Sequence, residues 1–251
     1  MRRIFTMIVI FAMLPMYACG PRTDAPDSLP EADKRATWPD QRMDRWLSYY
    51  GFEKEEFTDS ATYAKPYRLE KQTFDFSRED PFSELYVFNS DSTLAIDLDS
   101  YHLVLEKDQQ GMLFTPGRSP DMEIGLIDLA ESKRERLLFC GPACLFEEGS
   151  FHPRGHIVIA GFSQNGEGYL PTIWIVDPAA DSLRVKNIPE PYKPEKINYL
   201  PDVRLKHIRF YNDDGSPVTA GMQAVILSKN YKKPHGASCL MYNIPDPMAG
   251  I

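Results

Sequence analysis

The fold is decided by the stretch that begins Phe151-His-Pro-Arg-Gly-His-Ile-Val-Ile-Ala160 and ends Ile173-Trp-Ile-Val-Asp-Pro-Ala-Ala-Asp-Ser-Leu183. Short runs of β-branched and aromatic residues between turn residues are typical of strands. Proline and glycine form the tight turn before the first strand, and the aspartate that ends the second strand opens the next turn. The stretch therefore predicts a strand, a loop, a second strand and a hairpin.

A similar order of turns and strands occurs earlier in the chain. Phe88-Asn-Ser-Asp-Ser-Thr-Leu-Ala-Ile-Asp97 precedes Ile124-Gly-Leu-Ile-Asp-Leu-Ala-Glu-Ser-Lys-Arg134. Asp128 in this copy matches Asp177 in the later one. The two predicted strands of the earlier copy lie further apart in sequence, so we expect a longer internal loop there.

The later copy resembles a blade of the periplasmic TolB-type β-propellers. Phe151-His-Pro-Arg-Gly155 stands where those repeats carry Phe-Ser-Pro-Asp-Gly. A closed propeller needs at least four blades, whereas residues 84–251 offer two clear blades and at most a third. We therefore expect a mainly β protein with antiparallel, blade-like sheets that form an incomplete propeller or a sandwich.

The expected strands begin at about Tyr67, and later ones include Leu205–Tyr211 and Gln223–Ser228. One short helix precedes them. Its apolar side chains follow the i, i+3, i+4, i+7 spacing of a buried helical face, and Gly51 can end it. These side chains are Met43, Trp46, Leu47 and Tyr50.

The composition is that of a globular protein with an acidic surface. Hydrophobic residues make up 43% of the 251 residues, charged residues make up 25%, and the formal net charge is -8. An acidic protein lacks the basic face that phosphate binding requires, so nucleic acid is excluded as the main partner. A single long apolar run, at the N-terminus, allows at most one membrane crossing.

Residues 1–18 are predicted to be a lipoprotein signal peptide. Arg2 and Arg3 precede an apolar run of about 13 residues, Ile4–Met16, which at 1.5 Å per residue is too short to span a bilayer. A positive start followed by such a run is typical of a secretory signal.

The Ala18-Cys19 junction resembles the lipobox of bacterial lipoproteins, and Met16-Tyr17 fits the looser boxes of Bacteroidetes-type envelope lipoproteins. This resemblance implies that Cys19 receives diacylglycerol and fatty acyl chains such as palmitate, which anchor the protein in the membrane. Gly20 replaces the aspartate of the inner-membrane retention signal, which favours the outer membrane. An ordinary signal peptide with a chance cysteine is the alternative.

The mature chain divides into three predicted parts. Residues 19–37 are the lipidated cysteine and a polar, proline-punctuated flexible tether. Residues 38–243 form a single β-rich domain, and the proline-rich residues 244–251 form an irregular tail.

The segment Cys140-Gly-Pro-Ala-Cys144 differs by one residue from the Cys-Gly-Pro-Cys of a thioredoxin-type active site. No helical pattern follows Cys144, and in an oxidising compartment two cysteines usually pair. We therefore expect a Cys140–Cys144 disulfide that locks a hairpin turn. Pairing of either cysteine with Cys239 and thiol redox catalysis are the alternatives.

Metal binding is a further alternative for these cysteines. Cys140, Cys144, His152 and His156 read Cys-x3-Cys-x7-His-x3-His, and structural zinc uses such ligands, although its two ligand pairs are usually further apart. The histidines also flank Pro-Arg-Gly, where they can serve a turn. We assign neither a metal nor another cofactor to the chain.

Asp97 and Asp99 alternate with Ile96 and Leu98, which places both carboxylates on one side of a strand. We expect this side to be a solvated strand face. A hydrolase with paired carboxylates, or a calcium site, is the alternative.

The sequence contains no nucleophile elbow, phosphate-binding glycine loop, His-Glu-x-x-His motif or dinucleotide fingerprint. As a whole it resembles a Bacteroidetes-type envelope lipoprotein. The favoured function is a non-enzymatic binding or assembly module, lipid-anchored in the cell envelope, whose partner is an envelope protein or glycan. The alternative is an envelope enzyme that uses Cys140 and Cys144 for thiol redox or Asp97 and Asp99 for hydrolysis.

Overall fold

A computed structural model describes residues 41–64, 71–77, 80–166, 168–193, 197–211 and 216. These residues form a mainly β structure with one α-helix, α1 (Gln41–Tyr50), and three sheets. None of the helices within these ranges has the length and apolarity needed to cross a membrane. The predicted signal peptide, the tether, the strand Gln223–Ser228 and the tail lie outside the described residues.

The strands are short, as the sequence predicts. In chain order they are β1 (Thr58–Ala64), β2 (Gln72–Thr73), β3 (Val87–Phe88), β4 (Leu94–Asp97), β5 (Leu103–Lys107), β6 (Leu113–Arg118), β7 (Met122–Asp128), β8 (Lys133–Cys140), β9 (Cys144–Phe151), β10 (Ile157–Asn165), β11 (Gly168–Asp177), β12 (Ser182–Asn187) and β13 (Arg209–Phe210). Two 3-10 turns, Lys54–Glu56 and Pro81–Glu84, and one π-helix, Leu200–Arg204, complete the described elements.

The predicted helix is confirmed. Met43, Trp46 and Leu47 form its buried face. Gly51 ends it with a φ of +74°, a conformation that glycine adopts without steric cost. The backbone N–H of Phe52 then donates to the carbonyl of Leu47 at 3.0 Å, which satisfies one of the terminal helix carbonyls.

Two of the sheets share one plan, and the expected blade-like, antiparallel architecture is confirmed. In the first blade β3, β4, β7 and β8 lie side by side, with β2 added next to β8. In the second blade β9, β10, β11 and β12 form a meander, with β1 added next to β12. Each blade thus has five strands, and its outer strand comes from the region just after α1.

The strand-end aspartates occupy matching places in the two blades. Asp128 ends β7 and accepts a hydrogen bond from the N–H of Glu131 at 2.9 Å. Asp177 ends β11 and accepts hydrogen bonds from the N–H groups of Ala179 and Ala180 at 3.0 and 2.9 Å. Each carboxylate therefore fixes the turn that leads to the last strand of its meander.

The longer loop expected in the earlier copy is an inserted hairpin. β5 and β6 leave the first blade between β4 and β7 and pair with each other. β13 then joins β6 in parallel, which gives a separate three-stranded sheet. A small apolar cluster that includes Leu103, Leu113 and Ile208 lies beneath this sheet.

The main core lies between the blades and beneath α1. Its fully buried side chains include Trp46, Ile96, Phe146, Ile159 and Phe162. β9 and the first part of β10 are buried on both faces. Each fully buried side chain of this size stabilises the fold by about 1.5–3 kcal/mol relative to an exposed one.

Two sequence predictions about strand positions are wrong. Strands begin before Tyr67, because β1 is an edge strand that buries little and therefore carries few apolar residues. The predicted strand Leu205–Tyr211 is reduced to Arg209–Phe210. Leu205 and Ile208 are buried three positions apart within a turn, in which the Ile208 N–H donates to the Leu205 carbonyl at 2.8 Å.

Candidate functional site

The candidate site is built on two adjacent glutamates of β9, Glu147 and Glu148, which are 1% and 0% exposed. Neighbouring residues of a regular strand point to opposite faces. Here the pairing with β10 shifts, because Ala160 pairs with Glu148 whereas Gly161 pairs with Phe146. Glu147 is the extra residue of this β-bulge, and the bulge lets both carboxylates bond to side chains of α1.

Gly161 makes this bulge possible. A Cβ atom at Gly161 would lie 1.9 Å from the carbonyl oxygen of Leu145 on β9. Only a residue without a side chain allows the two backbones to approach so closely.

Glu147 receives its hydrogen bonds from α1. The indole Nε1–H of Trp46 donates to Oε2 at 2.8 Å, and the Tyr50 hydroxyl lies 3.0 and 2.9 Å from the two carboxylate oxygens. The Tyr50 oxygen in turn accepts from the backbone N–H of Tyr199 at 3.3 Å. Glu147 therefore joins α1 to the segment before the π-helix.

Burial raises the pKa of Glu147 to about 7 from the ordinary value of 4.5. The hydrogen bonds from Trp46 and Tyr50 and the charge of Arg204 act in the opposite direction, and the neighbouring Glu148 adds to the rise. Desolvation dominates because it disfavours the charged form of a fully buried carboxyl group.

Glu148 is bound by different donors. The Tyr199 hydroxyl donates to Oε2 at 2.6 Å, Arg45 Nη2 donates to the same oxygen at 3.1 Å, and Arg42 Nη1 lies 3.8 Å from Oε1. Burial and the Glu148 charge raise the pKa of Tyr199, which keeps its hydroxyl protonated as a donor. Arg42 and Arg45 are partly exposed, so Glu148 lies just beneath the surface of α1.

The π-helix supplies a buried cation to the same region. The Leu205 N–H donates to the Leu200 carbonyl at 2.7 Å, the bond that widens the helix by one residue. Arg204 then forms a bidentate ion pair with Asp99, with N–O distances of 2.7 and 2.6 Å. In the middle of the π-helix, Asp202 accepts a hydrogen bond from the Tyr49 hydroxyl at 2.6 Å.

The expectation of a solvated face at Asp97 and Asp99 is wrong. Both residues are only 1% exposed, and Asp99 lies in the turn after β4 rather than on the strand. Asp97 accepts hydrogen bonds from the backbone of that turn and pairs with Arg134 at 2.9 Å, and Asp99 pairs with Arg204. Arginines distant in sequence neutralise both carboxylates, which is why they tolerate burial.

The room for Arg134 comes from Gly125 on β7. A Cβ atom there would lie 2.6 Å from the Arg134 guanidinium. Arg134 also reaches Glu123 at 2.5 Å, and Arg136 binds the second oxygen of Glu123 at 2.5 Å. These ion pairs lie within the first blade and connect β4, β7 and β8.

The predicted Cys140–Cys144 disulfide is present, and both residues are buried. The predicted hairpin turn around it is wrong, because β8 belongs to the first blade and β9 to the second. The bridge instead closes the crossover between the blades, and the Gln164 N–H holds this crossover by donating to the Ala143 carbonyl at 2.6 Å. Cys144 begins a strand rather than the helix that activates a thioredoxin-type pair.

His152 and His156 serve the turn between β9 and β10. His152 Nδ1 accepts from the Arg154 N–H at 3.1 Å, and His156 Nε2 lies 3.3 Å from Asp177. The disulfide takes up both sulfurs that the zinc alternative requires. Across the described ranges, no group of three or more His, Cys, Asp or Glu side chains is arranged to hold a metal ion. Cys19 and Cys239 lie outside those ranges.

Sequence reasoning missed the two glutamates. The segment Leu145-Phe-Glu-Glu-Gly149 carries the one available signal, two adjacent acids bounded by apolar residues. Their donors lie about a hundred positions earlier in the chain, in α1, and about fifty positions later, at Tyr199.

No protein-family model, curated protein or solved structure matches this chain. The functional interpretation therefore rests on the geometry of the site in this chain. The site can hold and release a proton at Glu147, and it fastens α1 to β9.

Proposed function

We propose that the protein is a lipid-anchored module of the bacterial cell envelope that binds or assembles an envelope protein or glycan without catalysing a reaction. The N-terminal sequence supports the location, since an apolar run ends at Ala18-Cys19 and a polar segment follows. In this proposal acyl chains on Cys19 hold the protein at the outer membrane, and residues 20–37 let the β-rich domain reach its partner.

One observation carries the non-enzymatic part of the proposal. The candidate carboxylates and cysteines are buried, and each is held by another side chain of the protein: Asp97 by Arg134, Asp99 by Arg204, and Cys140 by Cys144. A catalytic acid, base or nucleophile has to reach its substrate. Groups bound in this way instead stabilise the blades and their connections.

Glu147 is the strongest argument for the enzyme alternative. A carboxyl group whose pKa is about 7 suits general acid–base catalysis at neutral pH. Its side chain is nevertheless only 1% exposed, and its hydrogen-bond donors, Trp46 and Tyr50, belong to the protein itself. These features favour a structural role for Glu147 over contact with a substrate.

The proposal is tested by crosslinking the full-length protein in intact envelopes and purifying the covalent products. Cys19→Ala, which removes the proposed anchor, is the comparison, and Cys239→Ala is the matched cysteine control. We expect one discrete adduct with an envelope protein or glycan, retained in Cys239→Ala and lost in Cys19→Ala. Equal adducts from all three proteins would contradict the anchored-module proposal.

A parallel assay addresses the enzyme alternative. The purified protein is incubated with insulin and dithiothreitol, and insulin reduction is followed by turbidity. We expect insulin to be reduced at the rate that dithiothreitol gives without the protein. A faster rate that is lost in Cys140→Ala would replace the proposal with a thiol oxidoreductase.

A further inference from the structure

α1 is fastened to β9 by polar side chains that end on two carboxylates. Trp46 and Tyr50 bond to Glu147, and Arg45 bonds to Glu148. The apolar face of the helix packs on the same core, and these polar contacts to β9 all end on Glu147 or Glu148. α1 also stands first among the described elements.

We propose that α1 is a pH-responsive latch: it stays docked on β9 while Glu147 is protonated, and it loosens when Glu147 ionises. This inference goes beyond the proposed binding function and does not depend on the lipid anchor. It concerns the protein's own N-terminal helix and a proton, so it can be tested without knowledge of the partner.

The distribution of donors around Glu147 supports the latch. Its hydrogen bonds come from two neutral groups, the Trp46 indole and the Tyr50 hydroxyl. The nearby cations are bonded elsewhere, Arg45 to Glu148 and Arg204 to Asp99. Ionisation therefore creates a negative charge beside Glu148 that no direct ion pair within the described ranges compensates, and this raises the free energy of the docked state.

Titratable and charged groups face this region from every element packed around it. From α1 they are Arg42, Arg45, Tyr49 and Tyr50; from β9, Glu148; from the segments 188–193 and 199–204, Tyr192, Tyr199, Asp202 and Arg204; and from the turn after β4, Asp99 and His102. The carboxylates among them oppose a further negative charge. The tyrosines are held protonated, since burial and the carboxylates raise the pKa values of Tyr49, Tyr50, Tyr192 and Tyr199. The pKa of Glu147, in contrast, lies near neutrality.

The direction of the effect follows from proton linkage. Docked Glu147 has a pKa of about 7, against an ordinary value of 4.5. Between these two values the docked state binds more protons than the open state, so docking weakens as the pH rises and then levels off above pH 7. From pH 6 to pH 8 the opening constant of α1 is expected to grow about tenfold.

Hydrogen–deuterium exchange of the full-length protein, read by mass spectrometry, measures this opening. The protection of a peptide from α1 is compared with that of a peptide from the β10–β11 hairpin at pH 6 and pH 8, after correction for intrinsic exchange rates. We expect an approximately tenfold loss of α1 protection relative to the hairpin. Glu147→Gln, a neutral isostere, should abolish the loss, and Glu106→Gln on the exposed part of β5 should retain it.

Unchanged relative protection in the wild-type protein, or the same loss in Glu147→Gln, would overturn the latch. The wild-type protein also provides a test that needs no variant: NMR titration of its ¹³C-labelled glutamate carboxyl groups. We expect one carboxyl group with a midpoint near pH 7, where the opening of α1 levels off. Glutamates that all titrate below pH 5.5 would refute the proposal. A difference of more than one pH unit between the NMR midpoint and the pH at which the opening of α1 levels off would refute it as well.

Discussion

At the residue scale, the buried carboxyl groups differ in which side chains neutralise or hydrogen-bond them. Asp97 and Asp99 each have an arginine partner, whereas the donors that the described part of the chain offers to Glu147 are neutral. A buried carboxyl group without a bonded cation avoids the cost of ionisation by keeping its proton, which is why the pKa of Glu147 is raised. The two classes of acid therefore predict different responses to pH and to mutation.

Glu147 should make the stability of the protein fall with rising pH. Its folded-state pKa of about 7 exceeds the ordinary value of 4.5, so its contribution is complete below pH 4.5 and is lost as the pH rises to 7. Between pH 5 and pH 7.5, the free energy of unfolding of the wild-type protein should drop by about 2 kcal/mol relative to Glu147→Gln. Urea denaturation at the two pH values measures this difference, and parallel losses in both proteins would show that Glu147 is not the group involved.

Removing Arg204 should be severely destabilising. Arg204→Met leaves the Asp99 carboxylate buried without its bidentate partner, which typically costs about 3–5 kcal/mol. The control is Lys54→Met, which breaks the exposed Lys54–Asp44 pair (2.8 Å) and should cost less than about 1 kcal/mol. Chemical denaturation of both variants gives the two free energies of unfolding. Similar small losses would mean that the buried pair contributes little.

At the element scale, the blades were predictable because their strands carry local signals. β4, β7, β10 and β11 are runs of apolar residues that end in turns, and such runs identify a strand without knowledge of its neighbours. Edge strands such as β1 bury little and show no such pattern. The Glu147 bulge was not predictable, because it exists only in the register between β9 and β10.

The burial of the two paired aspartates could not be predicted from the residues near them in sequence either. Asp97 and Asp99 alternate with apolar residues as a half-exposed strand would, and the sequence near them does not reveal Arg134 and Arg204 as their partners. Ion pairs between distant positions are set by the topology of the sheets rather than by spacing along the chain. The disulfide was predictable from the missing helical pattern after Cys144 and the pairing that an oxidising compartment favours, whereas its place between the blades was not.

Gly161 should tolerate no side chain. Gly161→Ala places a methyl group against the Leu145 carbonyl, so β9 and β10 must separate at the bulge, at an expected cost of about 3 kcal/mol. Gly141→Ala is the control, since its nearest atom, an Asp121 oxygen, lies 3.7 Å from the added Cβ. Thermal unfolding should show a large decrease in Tm for the first variant and little change for the second. Equal Tm values would contradict the close approach at the bulge.

The disulfide should be complete in the oxidised protein and modest in its effect on stability. Its loop of about five residues predicts a stabilisation below the ~3 kcal/mol of a 15-residue loop. In a Cys19→Ala, Cys239→Ala background, a thiol reagent should find no free thiol after denaturation. Detection of two thiols would show that Cys140 and Cys144 do not pair in solution.

At the scale of the whole molecule, the described part of the chain is two blades joined by a disulfide-closed crossover and completed by a hairpin insertion and one helix. Buried ion pairs and hydrogen bonds connect these parts: Arg204 ties the π-helix to the turn after β4, and Glu147 ties α1 to the second blade. In the proposed function, a β-rich domain connected in this way presents a surface to an envelope partner. The proposed anchor at Cys19 would place that surface in the cell envelope.

The most direct test of this account is mass spectrometry of the N-terminal peptide of the protein purified from envelopes. We expect a peptide that begins at Cys19 and carries diacylglycerol and fatty acyl chains, and we expect Cys19→Ala to release the protein from the membrane or to block its processing. A mature chain that begins elsewhere, or one in which Cys19 is unmodified, would contradict the lipid-anchored module.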